Sequence, residues 1–180
     1  MKTKLLLLIV FFSIQSFAQE KYYTKSGNIV FESSVASFEE VKATNTKVTA
    51  ILKNDGTIAA LALVKAFRFK IALMEEHFNE NYIESNKFPK ATFSGKIIGF
   101  SIEKLTSEEK EFVIKGKLSI KGNRKEINTK CFIKIVNGLI SLKSKFTTKP
   151  EDYGIKIPKI VRNKIAKKVA VFLNFTLRKK

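Results

Sequence analysis

Lysine and aliphatic side chains alternate with a period of two on three consecutive segments of this chain, and that alternation commits it to a sheet with one dry face. Over 110–120, Phe112, Ile114, Leu118 and Ile120 oppose Lys115 and Lys117. Over 126–136, Ile127, Cys131, Ile133 and Ile135 oppose Lys130 and Lys134. Over 139–146, Ile140, Leu142 and Phe146 oppose Lys143 and Lys145. A fourth segment, 168–177, lines one side with Val169, Val171, Leu173, Phe175 and Leu177. Successive residues of a strand point to opposite faces, so the apolar set points inward and the lysines outward.

Further strand signals lie over 27–35 (Ile29, Phe31, Ser33 and Val35 on one face), 46–52, 57–64 and 90–100. Turn signals separate them. Asn54-Asp55-Gly56 and Asn137-Gly138 favour tight hairpins because these residues tolerate positive φ, and Lys121-Gly122-Asn123-Arg124 turns the chain between two lysine-bearing strands. About eight short strands at regular spacing predict an all-β, antiparallel barrel or sandwich. Two segments break the rhythm. The 73–84 stretch spaces Leu73, His77, Phe78 and Tyr82 as a helix does, and 160–168 places Ile160, Val161 and Ile165 at helical intervals, although Pro158 fits an irregular loop equally well. Both are expected to cap a barrel end.

The first eighteen residues read as a targeting signal. Lys2 and Lys4 precede an apolar run over 5–12 that is too short to span a bilayer, and Ser16-Phe17-Ala18 supplies small residues at a cleavage site. The expectation is a signal peptide over 1–18, cleavage after Ala18, and one domain over 19–180 in the periplasm or outside the cell. A mature chain of this size can bury a core or enclose a cavity.

Residue chemistry argues against a catalyst. Cys131 is the single cysteine and His77 the single histidine. One cysteine forms no internal disulfide, and nothing near it in sequence lowers its pKa, so it reads as a buried, inert thiol. His77 reads as a structural hydrogen-bonding residue, since a metal site needs partners. Glu39-Glu40, Glu75-Glu76 and Glu108-Glu109 are adjacent carboxylates that point apart, hence surface charges. No metal and no cofactor is expected.

Charge is unevenly spread. Residues 19–111 are balanced, whereas 112–180 carry 19 Lys and Arg against Glu126, Glu151 and Asp152. Such a half fits an anionic membrane surface or, equally, a solvated Lys-rich barrel exterior. Export and the lack of an aromatic-basic RNA motif set nucleic acid aside.

Three stretches carry a resemblance. Residues 77–95, HFNENYIESNKFPKATFSG, resemble the H-(L/F)-x-(S/N)-x-x-(F/Y)-x-x-x-x-(F/Y)-P-x-(A/I)-x-F signature of the YceI-like family. Residues 113–125, VIKGKLSIKGNRK, are similar to its hairpin motif through Gly116, Leu118, Ile120, Gly122 and Lys125. Glu151-Asp152-Tyr153-Gly154-Ile155 is similar to its D-F-G-I loop. Met74-Glu75-Glu76 stands where many members carry an Arg-Asp pair. Gly116 in mid-strand marks either a sharp bend of the wall or a close approach of ligand to backbone.

The resemblance implies a lipocalin-like antiparallel barrel of eight strands, with one or two short helices at its ends, that holds a long-chain lipid of isoprenoid or acyl type. At about 25 cal/mol per Å2, burying several hundred Å2 of tail gains on the order of 10 kcal/mol before association costs. The candidate lumen and mouth comprise Phe31, Phe69, Leu73, His77, Phe78, Tyr82, Phe93, Phe112, Ile114, Cys131, Ile133, Leu142, Phe146, Tyr153, Val171 and Leu173, with Asn79 beside His77, Tyr82 and Tyr153 as a polar group for a head group. The implied partners are the lipid, an anionic membrane met through 112–180, and, as an open option, a second copy in a homodimer. The competing reading is a structural or adhesion-type β protein in which the same inward residues fill a solid core. An enzyme on a lipid or quinone is a third reading, and only Cys131 would serve it.

Overall fold

Among the described residues, nine strands and one short α-helix follow in the order β1 (Lys21–Glu32), β2 (Lys42–Lys53), β3 (Thr57–Leu63), β4 (Arg68–Phe69), α1 (Ala72–His77), β5 (Lys90–Ile98), β6 (Lys110–Ile120), β7 (Asn123–Val136), β8 (Leu139–Thr148) and β9 (Val169–Lys179). The structure, a computed structural model, describes residues 20–35, 38–163 and 165–180. The leader expected over 1–18 falls outside the described residues.

Hydrogen-bonded neighbours run β1-β9-β8-β7-β6-β5-β3-β2, and β2 pairs back onto β1. Eight antiparallel strands therefore close into a barrel without a free edge. β4 contributes only two residues, paired with Ala43 and Thr44 of β2 beyond the end of β3. The expected all-β barrel is present, and the alternation of the last four strands is realised: Ile114, Cys131, Ile133, Ile140, Leu142, Phe175 and Leu177 are buried, while Lys115, Lys117, Lys130, Lys143 and Lys145 are exposed. The tight turns also form. Lys121-Gly122 and Asn137-Gly138 both take positive φ at two consecutive residues (48° and 78°, 50° and 75°), which suits the twist of the flanking strands.

β1 and β2 are longer than the sequence suggests, for one physical reason. Their pairing shifts register between Thr24 and Gly27 and again between Gly27 and Ile29. Inward residues are Tyr22 and Thr24 before the bulge and Gly27, Ile29 and Phe31 after it, so the parity flips. β2 flips with it, from Ala43 and Asn45 to Val48, Ala50 and Leu52. Asn45, fully buried, satisfies the irregular backbone: its amide donates to the Leu63 carbonyl (3.0 Å) and its oxygen accepts from the Lys47 N–H (2.9 Å). The Phe175 ring packs against Gly27, where a Cβ would lie 2.7 Å from it.

In the segment after Pro158 the irregular-loop alternative is the one realised: a single turn of 3-10 helix, Lys159–Val161, lies within a long irregular connection between β8 and β9.

The barrel has two unlike ends. At one, the β5–β6 connection folds Phe100, Ile102 and Leu105 under the wall, anchored by the Ile135 N–H bonded to the Thr106 carbonyl (2.9 Å). There they meet Tyr22, Leu52, Ile97, Ile133, Ile140 and Leu177 in a packed core. At the other end lie the β1–β2 connection, α1, the β6–β7 turn and the long β8–β9 connection.

Candidate ligand cavity

Helix α1 forms from good helix formers, Ala72 to Glu76, and is held to β4 by Glu75. The Glu75 carboxylate accepts from the Arg68 guanidinium (2.8 Å) and the Phe69 N–H (3.1 Å). The helix widens into a π-turn, Phe78–Tyr82, and stops at Glu84, whose φ is 57°. Lys121 on the β6–β7 turn holds that end: its ammonium donates to the Tyr82 carbonyl (2.9 Å) and pairs with the Glu84 carboxylate. The hydrogen bond from Lys121 keeps the Glu84 carboxyl below the ordinary carboxylate value. A depressed pKa means stabilisation that is present above the unfolded carboxylate pKa and lost as pH falls through the folded value. Hydrogen-exchange protection of residues 78–85, corrected for intrinsic rates, is therefore expected to fall in acid, and Lys121→Met is expected to remove that acid dependence.

Above the packed end the barrel is hollow. A cavity of about 600 Å3 opens toward α1 and the β8–β9 connection. That is within the range of small-molecule sites. Of the sixteen candidate residues, Phe31, Phe69, Leu73, His77, Phe78, Tyr82, Phe93, Ile114, Leu142, Phe146, Tyr153, Val171 and Leu173 line it. Phe112, Cys131 and Ile133 do not, and for these the placement is corrected. They point inward as expected but sit at the packed end, where the Phe112 ring meets that of Phe100 at a tilt, centroids 6.0 Å apart, and Cys131 and Ile133 are fully buried. Asn79 is also corrected. Two residues from His77 in helical backbone, it points away from the cavity, its amide donating to the Glu75 carbonyl (2.9 Å) in an outer groove beside Arg68.

On the α1 side, Phe31, Phe67, Phe69 and Phe78 form a cluster with ring centroids 5.2–5.9 Å apart. Across the mouth, Ile155, Ile157, Val161 and Ile165 of the β8–β9 connection complete the wall. Phe67 and these four were missed. Phe67 shares spacing with Phe69, which was a usable signal, but the four aliphatics sit in irregular backbone.

The polar groups of the lumen are largely spent within the protein. Hydroxyls of Ser33, Thr129 and Ser144 donate to the carbonyls of Ala166 (3.0 Å), Lys145 (3.0 Å) and Lys130 (2.8 Å), and Thr148 donates to the Tyr153 phenol oxygen (3.2 Å). Burial pushes the phenols of Tyr82 and Tyr153 up, so both stay neutral. Among the described residues no lysine or arginine lines the cavity. Glu39 and His77 are exposed at its rim. The His77 side chain makes no hydrogen bond among the described residues, so the structural bond expected of it is not made, and the residue stands at the mouth. No group of three His, Cys, Asp or Glu able to hold a metal occurs among the described residues.

Burial pushes the Cys131 thiol up to about 12. The thiolate is the reactive form, so iodoacetamide is expected to leave Cys131 unlabelled in the folded protein at mildly alkaline pH and to label it quickly in denaturant. Cys131→Ala should cost about 1 kcal/mol and leave ligand uptake unchanged; loss of function with an intact fold would restore the catalytic reading.

A closed eight-strand barrel, packed at one end and apolar and hollow at the other, defines a lipocalin-like architecture. The YceI-like domain matches residues 21–177, and the chain belongs to that family. Its fold is similar to a polyisoprenoid binding domain from Saccharophagus degradans implicated in plant cell wall breakdown (TM-score 0.77, 13% identity, 90% of this chain and 99% of that one). It is similar also to Burkholderia cenocepacia BcnA (0.68, 14%, 83% and 95%) and to the Campylobacter jejuni YCEI protein (0.61, 15%, 79% and 86%). No curated protein matches the chain.

Proposed function

We propose that this protein is an exported, non-catalytic carrier that holds the chain of a long isoprenoid or acyl lipid in the open half of its barrel, in the periplasm or outside the cell. One observation carries the reading: a cavity of about 600 Å3 walled by aliphatic and phenylalanine side chains, in which the hydroxyls of Ser33, Thr129, Ser144 and Thr148 are already engaged. Such a lumen offers area without directional bonds, which suits a flexible hydrocarbon and discriminates poorly among head groups. Tyr82 and His77 stand at the rim for a polar end. The polyisoprenoid-binding relative, at 13% identity, supports this choice of ligand class. The hollow half weighs against the solid-core structural reading, and the depth and protonation of Cys131 weigh against an enzyme.

The test is uptake of cis-parinaric acid, a fluorescent polyene, by delipidated protein. Saturable enhancement at one equivalent, reversed by a C20 isoprenoid alcohol, is expected. No enhancement, or enhancement that the isoprenoid leaves unchanged, would contradict the proposal.

A further inference from the structure

The connection between β8 and β9 has two faces of opposite character. Ile155, Ile157, Val161 and Ile165 turn toward the cavity. Lys156, Lys159, Arg162, Lys167 and Lys168 are exposed, and none of them forms an ion pair among the described residues. Between 153 and 168 the sequence contains no Asp or Glu. In the middle stands Ile160, 85% exposed, the most exposed of the large apolar residues described.

The segment is tied at its ends and loose between them. Tyr153 is held through its carbonyl, which accepts from the Asn123 amide (3.0 Å), and Ala166 is held by two hydrogen bonds with Ser33, one from its N–H to the Ser33 carbonyl (2.8 Å). From 156 to 163 the hydrogen bonds among described residues are local: Val161 to Pro158, Arg162 to Lys159, and the Arg162 guanidinium to the Ile157 carbonyl. Glu39 is exposed at the cavity rim, and the outer groove beside α1 mixes Glu75, Glu76 and Glu80 with Lys65, Arg68 and Lys70.

We infer that residues 153–163 and 165–168 are the contact surface for an anionic bilayer, placing the cavity mouth against the lipid. This rests on the carrier reading and localises its partner to one strap rather than to the lysines of the barrel wall. Charge complementarity selects the partner: unpaired cations surround one exposed isoleucine, so the cations meet lipid phosphates and Ile160 enters the acyl boundary. The lysines of β6, β7 and β8 lie on the outer wall and present no comparable apolar tip beside the mouth. Contact at the strap would let a chain pass between bilayer and lumen past Ile157 and Val161 without crossing water.

Flotation of the full protein with phosphatidylcholine vesicles, with and without added phosphatidylglycerol, tests this at low salt. Wild type is expected to bind only the anionic vesicles and to be released by salt. Lys156→Glu/Lys159→Glu should weaken that binding by more than about tenfold, and Ile160→Asp should also weaken it. The charge-matched wall pair Lys115→Glu/Lys117→Glu should stay within about twofold. Equal loss in the wall pair, unchanged binding in the strap variants, or equal binding of wild type to neutral vesicles would overturn the inference. Parinaric acid uptake in solution is scored on the same proteins. Strap variants that retain uptake but lose vesicles support the docking surface, whereas vesicle binding without uptake in any protein would sink the carrier reading and leave the surface standing.

Discussion

Alanine at position 116 is expected to lower the melting temperature by roughly 10 °C, although it adds a single methyl group. Gly116 of β6 lies directly opposite Gly95 of β5. A Cβ on Gly116 would meet the Ser94 carbonyl oxygen, the Gly95 Cα at 2.7 Å and the Phe93 ring at 2.5 Å. Two of these are backbone atoms of the neighbouring strand, so the strain has no soft side chain to absorb it, and β5 must part from β6. The cost is about 3 kcal/mol, a large fraction of the stability of an ordinary domain. Gly138 is the control. Its φ of 75° also favours glycine, but nothing lies within 4 Å of its absent Cβ, so Gly138→Ala costs about 1 kcal/mol through backbone conformation alone. Thermal unfolding of both variants separates close packing from φ; similar shifts would refute the packing argument. The glycine pair thus makes room for Phe93, whose ring covers the thin wall where a ligand approach was the other option left by the sequence.

Phenylalanine at position 60 is expected to abolish the proposed high-affinity uptake of a C20 chain, by a factor of about one hundred or more, while the barrel still folds. Ala60 lines the cavity and is paired with Phe93 on one side and Ala50 on the other. A larger side chain there projects into the hollow half rather than into packed core, so it removes ligand volume at small cost in stability. Ala59, one residue earlier, is exposed on the outer face opposite Ile51 and Ser94. Ala59→Phe makes the same chemical change on the other side of the wall, and uptake should be unaffected. Parinaric acid titration of the two variants reads the difference directly. Equal loss in both, or none in Ala60→Phe, would mean that the chain does not lie along β3 and β5.

What the sequence discloses is which face a residue takes, and what it withholds is height along the barrel. Ile114, Cys131 and Ile133 all point inward, as period-two alternation requires, yet Ile114 reaches the cavity whereas Cys131 and Ile133 lie in the packed end. Parity is blind to that distinction, because it depends on where the β5–β6 connection tucks Phe100 and Leu105. The first halves of β1 and β2 were illegible for another reason: the bulge around Gly27 reverses the alternation, so Tyr22 and Thr24 fall out of phase with Ile29 and Phe31. Ile155, Ile157, Val161 and Ile165 share a wall without sharing any regular period, and their spacing imitates a helix. His77 and Asn79 are two residues apart in helical backbone, so they point to different sides, one to the mouth and the other to the outer groove.

The most direct test of the carrier account is native mass spectrometry of the protein purified from cells that make it, repeated after organic extraction. The account predicts an added mass in the range of one long isoprenoid or acyl lipid, lost on extraction and absent from the Ala60→Phe protein. An identical bare mass before and after extraction, from wild type and variant alike, together with no polyene uptake, would contradict it.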